Sequence, residues 1–507
     1  MLKGSDVAAH NSADSLWMII HGKFAPSHPG GIKILLKYAG KDATENDLQE
    51  YDPIHPPGTI EQTLSADKHL GPIDMSTLEE GQKLVEVATP ASSAAALSGV
   101  PSSASACLNL DDFEKAAEAL LKPKAWAYYR SAADDERTSP PSPRQSTSTA
   151  AFSWNRDAFS LIRFRPRVLR NVLPVDLSTS ILGHRSRMPV YISPAAMGRL
   201  AHPEGEKCLV RTAAAHGIPY VVSANSSVSF EDIAAEVPKD TILFYQLYVN
   251  RDRSKSEDIL RRVANAGYKA ICVTVDAPVA GKRERDERTK LDDEAAADLS
   301  TSAAVKRTGP DAPDAPQDEK SQGIAQGLGS YVDPTLSWTD LAWVRRASGG
   351  LPIIVKGIQS AEDAALAAHY GAAAIVLSNH GSRQLEGAPS SIETLLEIRK
   401  FEPGVFDKVE VWCDGGYRRG TDVLKAIALG AKCVGFGRPF MYSLAFGDQG
   451  TDRVATILRE ELEQNTRLLG ATKLGEVVPA MVNTTELERN LYNGPYDSPI
   501  KTIFAKL

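Results

Sequence analysis

A parallel α/β barrel of the (β/α)8 type is the fold that this 507-residue sequence predicts, and three observations predict it. Eight short apolar runs follow one another: "MPVYIS", "PYVVSA", "ILFYQLY", "AICVTVD", "PIIVKG", "AIVLSN", "VEVWCDGG" and "CVGFGRP". Between most of them lie segments of helical periodicity ending in glycine, such as "PEGEKCLVRTAAAHG", "SAEDAALAAHYG" and "RRGTDVLKAIALG", where a final glycine suits a helix C-terminus. The runs are apolar throughout rather than alternating, as strands buried on both faces of a parallel sheet must be, and eight is the number that closes a barrel. An open, doubly wound sheet is the runner-up, and the count of eight argues against it.

Taken in order, residues 1–72 form a small turn-rich module containing "HPGG" and "DPIHPPGTIEQTL". Residues 73–107 have the Ser/Ala/Pro composition of a flexible linker. The barrel occupies 108–490, and 491–507 form a C-terminal tail. One connection breaks the strand–helix rhythm: residues 285–330 are charged and rich in Ala, Pro and Asp, and a loop of that length is expected to be mobile.

Bulk properties exclude several classes. Hydrophobic residues make up 42% and charged ones 24%, the balance of an ordinary globular protein. The net charge of −7 with no long basic run makes nucleic acid a poor partner. No stretch of about 18 apolar residues exists to span a membrane. The five cysteines (Cys107, Cys208, Cys272, Cys413, Cys433) lack any CxxC spacing and sit in apolar segments, as reduced core thiols do. The first residues show neither a signal core nor an Arg-rich transit pattern, so a cytoplasmic location is expected.

Barrels of this kind carry their chemistry at the C-terminal ends of the strands. Here nearly every strand ends in polar groups: Ser193 to Met197, Ser223, Gln246 with Tyr248, Thr274 with Asp276, Lys356, Ser378 to Arg383, Asp414 to Arg418, and Gly435 to Arg438. "DGGYRRG" and "GFGRP", after strands seven and eight, put glycines and arginines where a phosphate would bind. In "SNHGSRQ" a buried strand delivers His380 to the rim, with Asp276 at a nearby strand end. A carboxylate that fixes the imidazole tautomer and stabilises the imidazolium makes a general base. Arg383 and Arg283 are suited to a substrate carboxylate, and Lys356 to negative charge developing on a cofactor.

"VTVDAP", "SNHGSRQLEGAPSSIETL", "DGGYRRGTDVLKAIALGA" and "GFGRPF" resemble the FMN-dependent α-hydroxy acid dehydrogenases and oxidases. The "HPGG" module in front resembles the cytochrome b5-like domain of the flavocytochrome branch. This resemblance implies a TIM barrel binding FMN and a small α+β module binding heme b. His380, backed by Asp276, becomes the base; Tyr128, Arg383 and Arg283 hold the substrate carboxylate, and Tyr248 holds its hydroxyl. Lys356 stabilises the reduced flavin. Ser223, Gln246, Thr274 and the backbone of Ala196 contact the ring, with Ser378 nearby. Asp414 binds the ribityl chain, and Gly415, Gly416, Arg418, Gly437 and Arg438 surround the phosphate. His28 and His55 become the iron ligands.

The resemblance further implies oxidation of a small L-2-hydroxy acid, with a cytochrome c-type electron acceptor or oxygen, a homotetramer, and location in the mitochondrial intermembrane space. The sequence departs from the family pattern at Ala195, at Ser382 where a glycine is usual, and at Asn225 where relatives carry a bulky apolar residue. The last departure favours a larger or more polar substrate than lactate. The heme module lacks about six residues of a strand between Lys23 and Phe24 and carries "NDLQ" as an insert before His55, so impaired heme binding is expected. Alternatives are an oxygen-using oxidase and a non-catalytic FMN-binding barrel. An FMN-barrel isomerase or an IMP dehydrogenase-like enzyme is disfavoured by the lack of a cysteine in the strand-six loop.

Overall fold

The computed structural model describes residues 100–134, 153–289 and 331–492, together with four two-residue strands near the N-terminus. Those short strands pair antiparallel, Asn11–Ser12 with Ser15–Leu16 and Ile19–Ile20 with Lys23–Phe24. His28, His55, the linker up to residue 99, residues 290–330 of the long connection and the tail from 493 lie outside the described residues.

Eight parallel strands close into a barrel. They are β1 (Val190–Ile192), β2 (Tyr220–Val222), β3 (Leu243–Leu247), β4 (Ala270–Thr274), β5 (Ile353–Ile358), β6 (Ala374–Leu377), β7 (Glu410–Asp414) and β8 (Cys433–Phe436). Each coincides with one of the apolar runs read from the sequence, and β8 pairs with β1 to complete the ring. The helices between them start on side-chain caps, for example Ser229, Asp252, Ser360 and Ser390, the last with Glu393 in a capping box. Gly217, Gly371 and Gly430 follow the three helices whose endings they were expected to mark, all at positive φ.

The barrel interior is filled. Tyr191, Val221, Phe244, Cys272, Ile354, Val376, Trp412 and Cys433, one from each strand, form a single buried cluster. Trp412 packs its ring 5.3 Å from that of Tyr191 and 5.6 Å from that of Phe244. A hairpin of Thr179–Ile181 and His184–Ser186 closes the N-terminal end, with Ile181 joining the same cluster. Side chains on a strand return to the same face every second residue. Two residues beyond the plug on each strand come Ser193, Ser223, Gln246, Thr274, Lys356, Ser378, Asp414 and Gly435. Strand periodicity alone therefore lifts a polar layer directly above an apolar floor.

The outward-facing strand residues pack on the helices in the larger core. Cys107, assigned to the linker from composition, is fully buried in that core, so packing against the barrel's helices extends to the residue before 108. Its neighbours Ser102–Ser105 still have the small polar residues that made the segment read as a linker. Of the long connection, residues 284–289 form a helical turn. No helix among the described residues is long and apolar enough to cross a membrane.

Candidate active site

A cavity of about 1350 Å³, open mouth included, sits over the polar layer at the C-terminal end of the barrel. Sixteen of the expected residues line it: Tyr128, Ala196, Ser223, Gln246, Tyr248, Thr274, Arg283, Lys356, His380, Arg383, Asp414, Gly415, Gly416, Arg418, Gly437 and Arg438.

On one wall, strand-end side chains form a ladder. The Gln246 carboxamide oxygen accepts from the Ala224 amide at 3.0 Å and from the Ser223 hydroxyl at 3.4 Å, and its nitrogen donates to Thr274 Oγ1 at 3.0 Å. On the next strand, level with Thr274, Lys356 is almost wholly buried, donating to Ser378 Oγ at 3.0 Å and standing 3.7 Å from Asp414. Burial opposes the ammonium charge, but Asp414 and Asp276 outweigh it and hold Lys356 above the usual lysine range. Beside it β5 shifts register between Lys356 and Ile358. A side chain at Gly357 would run into Asp276, its Cβ 2.6 Å from that of the aspartate. A bulge at a glycine thus brings lysine and aspartate together.

The base is assembled from two strands. His380 Nδ1 lies 3.0 Å from Asp276 Oδ1, and its Nε2 lies 3.3 Å from the Tyr248 hydroxyl. Burial draws the imidazole below its ordinary value, against the pull of Asp276, and the Lys356 charge adds to the lowering. Burial works against the Asp276 charge, yet His380 and Lys356 keep its carboxyl below the ordinary range. Tyr248 is pushed above the usual phenol range by burial, so it stays a hydroxyl donor. His380, Gly381 and Ser382 have φ of 58°, 64° and 65°. Departures from ordinary backbone by two non-glycine residues, on either side of Gly381, mark a held, strained loop. Asn155 helps to hold it, donating to Ser382 Oγ at 2.9 Å and to Asn379 Oδ1 at 3.0 Å.

Cations gather around this base. Arg383 donates to the carbonyls of Tyr128, Tyr129 and Ser131 and lies over the Tyr128 ring at 5.1 Å. Burial, then the Arg383 charge, lowers Arg283 to about 10. Further along the cavity, burial and the guanidiniums of Arg383, Arg130 and Arg418 push Arg438 well below the usual arginine range. A guanidinium stays charged in proteins, so a bound anion would offset both the burial and the repulsion of the neighbouring arginines. At Gly437 an added Cβ would meet only Ser193 Cβ at 3.8 Å, so a side chain would fill the cavity rather than the protein. Arginines, ring-facing polar groups and a buried lysine in one cavity fit FMN.

Ser378, expected to contact the cofactor, is 1% exposed and is not among the residues lining the cavity. Its hydroxyl instead accepts from Lys356 and from the His380 amide, because the strand ends beneath that loop. Asp276 likewise stands behind His380. The sequence reading missed Asn155, Tyr129, Tyr331 and Gln384. Asn155 lies on a helix outside the barrel repeat, and Tyr331 follows the long connection, so neither carries a strand-end signal. Tyr331 donates to Asn225 Oδ1 at 3.1 Å at the cavity wall. Among the described residues no group of His, Cys, Asp or Glu forms a metal site.

Residues 117–484 match the family model described as FMN-dependent dehydrogenase, and residues 3–74 match the cytochrome b5-like heme/steroid binding domain. The chain is 39% identical over 501 residues to an L-lactate dehydrogenase (cytochrome) of Wickerhamomyces anomalus, covering 95% of this chain and 79% of that protein. It is 39% identical to the glycolate oxidase of Spinacia oleracea over 370 residues, covering 73% of this chain and 94% of the other. The crystal structure of the recombinant flavin-binding domain of baker's yeast flavocytochrome b2 superimposes with a TM-score of 0.65 at 36% identity, covering 79% of this chain and 92% of that one. FMN and heme are the cofactors of the two matched domain types. With its cavity built for a flavin and its model match spanning most of the sequence, the chain belongs to the FMN-dependent dehydrogenase family and carries a cytochrome b5-like domain at its N-terminus.

Proposed function

We propose that this oxidoreductase converts an L-2-hydroxy acid of the lactate type to the 2-oxo acid, with FMN as first electron acceptor, heme as second and a c-type cytochrome as last. The observation that carries the reading is the His380–Asp276 pair facing Tyr248 beside Arg283 and Arg383. Binding alone would need the arginines but not the base. FMN, when bound, supplies the acceptor for the two electrons that leave the substrate.

The chain's own residues do the rest. Arg383 and Arg283, with Tyr128, fix the carboxylate, which orients the carbon bearing the hydroxyl. Asp276 accepts from Nδ1–H and so leaves the Nε2 lone pair facing Tyr248 and the cavity. The lowered His380 is neutral near pH 7 and can take one of the two protons released. Asp276 then stabilises the imidazolium. Lys356 keeps a positive charge against the flavin site.

His380→Gln is expected to cut the rate of flavin reduction by about 10²–10⁴-fold while the yellow cofactor stays bound. Anaerobic mixing with 2-hydroxy acids, followed by absorbance, measures both, and unchanged turnover sinks the assignment. The polar Asn225–Tyr331 wall favours substrates longer or more polar than lactate. The likeness to glycolate oxidase supports a second reading, in which oxygen is the acceptor. Mixing the reduced protein with cytochrome c or with oxygen separates the two, and we infer a homotetramer in either case.

A further inference from the structure

Gln384 makes four hydrogen bonds from one side chain, all to the loop that follows β4. Its Nε2 donates to the carbonyls of Asp276 at 3.1 Å and Val279 at 2.9 Å. Its Oε1 accepts from the Gly281 amide at 3.1 Å and from Arg283 Nη2 at 3.4 Å. Arg283 Nε in turn donates to the Arg383 carbonyl at 3.3 Å. The two rim loops are pressed together here, since a Cβ on Gly281 would stand 2.4 Å from the Arg383 carbonyl oxygen.

The carboxamide is the group this junction needs. Two backbone carbonyls require donors, while an amide and a guanidinium require an acceptor, and one planar amide offers both at once. Alanine offers neither. Glutamate keeps the acceptor but turns a carboxylate against two carbonyl oxygens.

We propose that Gln384 is a positioning residue that sets the placement of Arg283 and of the Asp276 backbone, and so the carboxylate-binding geometry and the alignment of the base. The inference rests on the roles given above to Arg283 and Asp276. None of the four groups that Gln384 bonds is placed at the flavin, so cofactor content separates the proposal from a general loss of structure.

The test uses the full-length holoprotein and oxalate, a dicarboxylate that cannot be oxidised in the same way, with binding read from perturbation of the flavin spectrum. Gln384→Ala is expected to keep its FMN, weaken oxalate roughly tenfold and slow flavin reduction by roughly 10- to 100-fold, the scale of a slight misplacement of reacting groups. Gln384→Glu is expected to be weak at neutral pH and to recover towards wild type as pH falls, because a protonated carboxyl regains an O–H donor for one carbonyl. Wild-type oxalate affinity in both variants would overturn the proposal. So would a Gln384→Glu to wild-type ratio that is flat with pH, or loss of FMN from both variants. Failure of the wild-type protein to be reduced by any 2-hydroxy acid would refute the function instead, and the oxalate titration would still decide the role of Gln384.

Discussion

Asp276 and His380 pull on each other's protons, and the sign of that coupling is testable. Asp276 favours the charged imidazole, so Asp276→Asn removes a raising influence from a group that burial already lowers. The acidic limb of kcat/KM, where His380 becomes protonated, is expected to move to lower pH in the variant. The plateau should fall by about 10²–10⁴-fold, because the imidazolium formed in the reaction loses its partner and the tautomer is no longer fixed. A limb that moves to higher pH would contradict the pairing. At this scale most of the site was legible, since strand ends declare themselves in sequence. Ser378 shares the layer of Lys356 and Asp414, and its hydroxyl is taken up by Lys356 and the His380 amide. Gln384 was visible in "SNHGSRQ" but had no readable partner, as its contacts lie about a hundred residues away.

The eight strands were legible as elements because each is apolar on both faces, and the period of two then fixes which residues share a layer. The aromatic identity of the floor was less so: Tyr191, Phe244 and Trp412 come from strands far apart in sequence. Trp412→Ala is expected to cost about 3–5 kcal/mol, as loss of a fully buried large side chain does, and to lower the melting temperature of the holoprotein. Thermal denaturation followed by far-ultraviolet circular dichroism checks it, and an unchanged midpoint would show that the interior had closed around the gap. The burial of Cys107 was not legible, because Ser- and Ala-rich sequence is compatible both with a linker and with a short turn packed through one buried cysteine.

For the whole molecule, two modules of different chemistry share one chain, and they are expected to be separable by substitution. Replacing His28 or His55 by Ala is expected to remove the low-spin b-type absorption and the reduction of cytochrome c, while the hydroxy acid still bleaches the flavin. From the short segment before His28 and the insert before His55, we expect heme below one equivalent per flavin in the unaltered protein. A reduced-minus-oxidised spectrum giving one-to-one content would refute that expectation.

The packed floor beneath the cavity also sets the traffic. With Tyr191, Phe244 and Trp412 stopping the barrel from below, the chamber is a cul-de-sac, and the described residues leave its mouth as the way in and out. Incoming acid and departing product are then expected to share one doorway, so that added 2-oxo acid slows flavin reduction by fresh substrate.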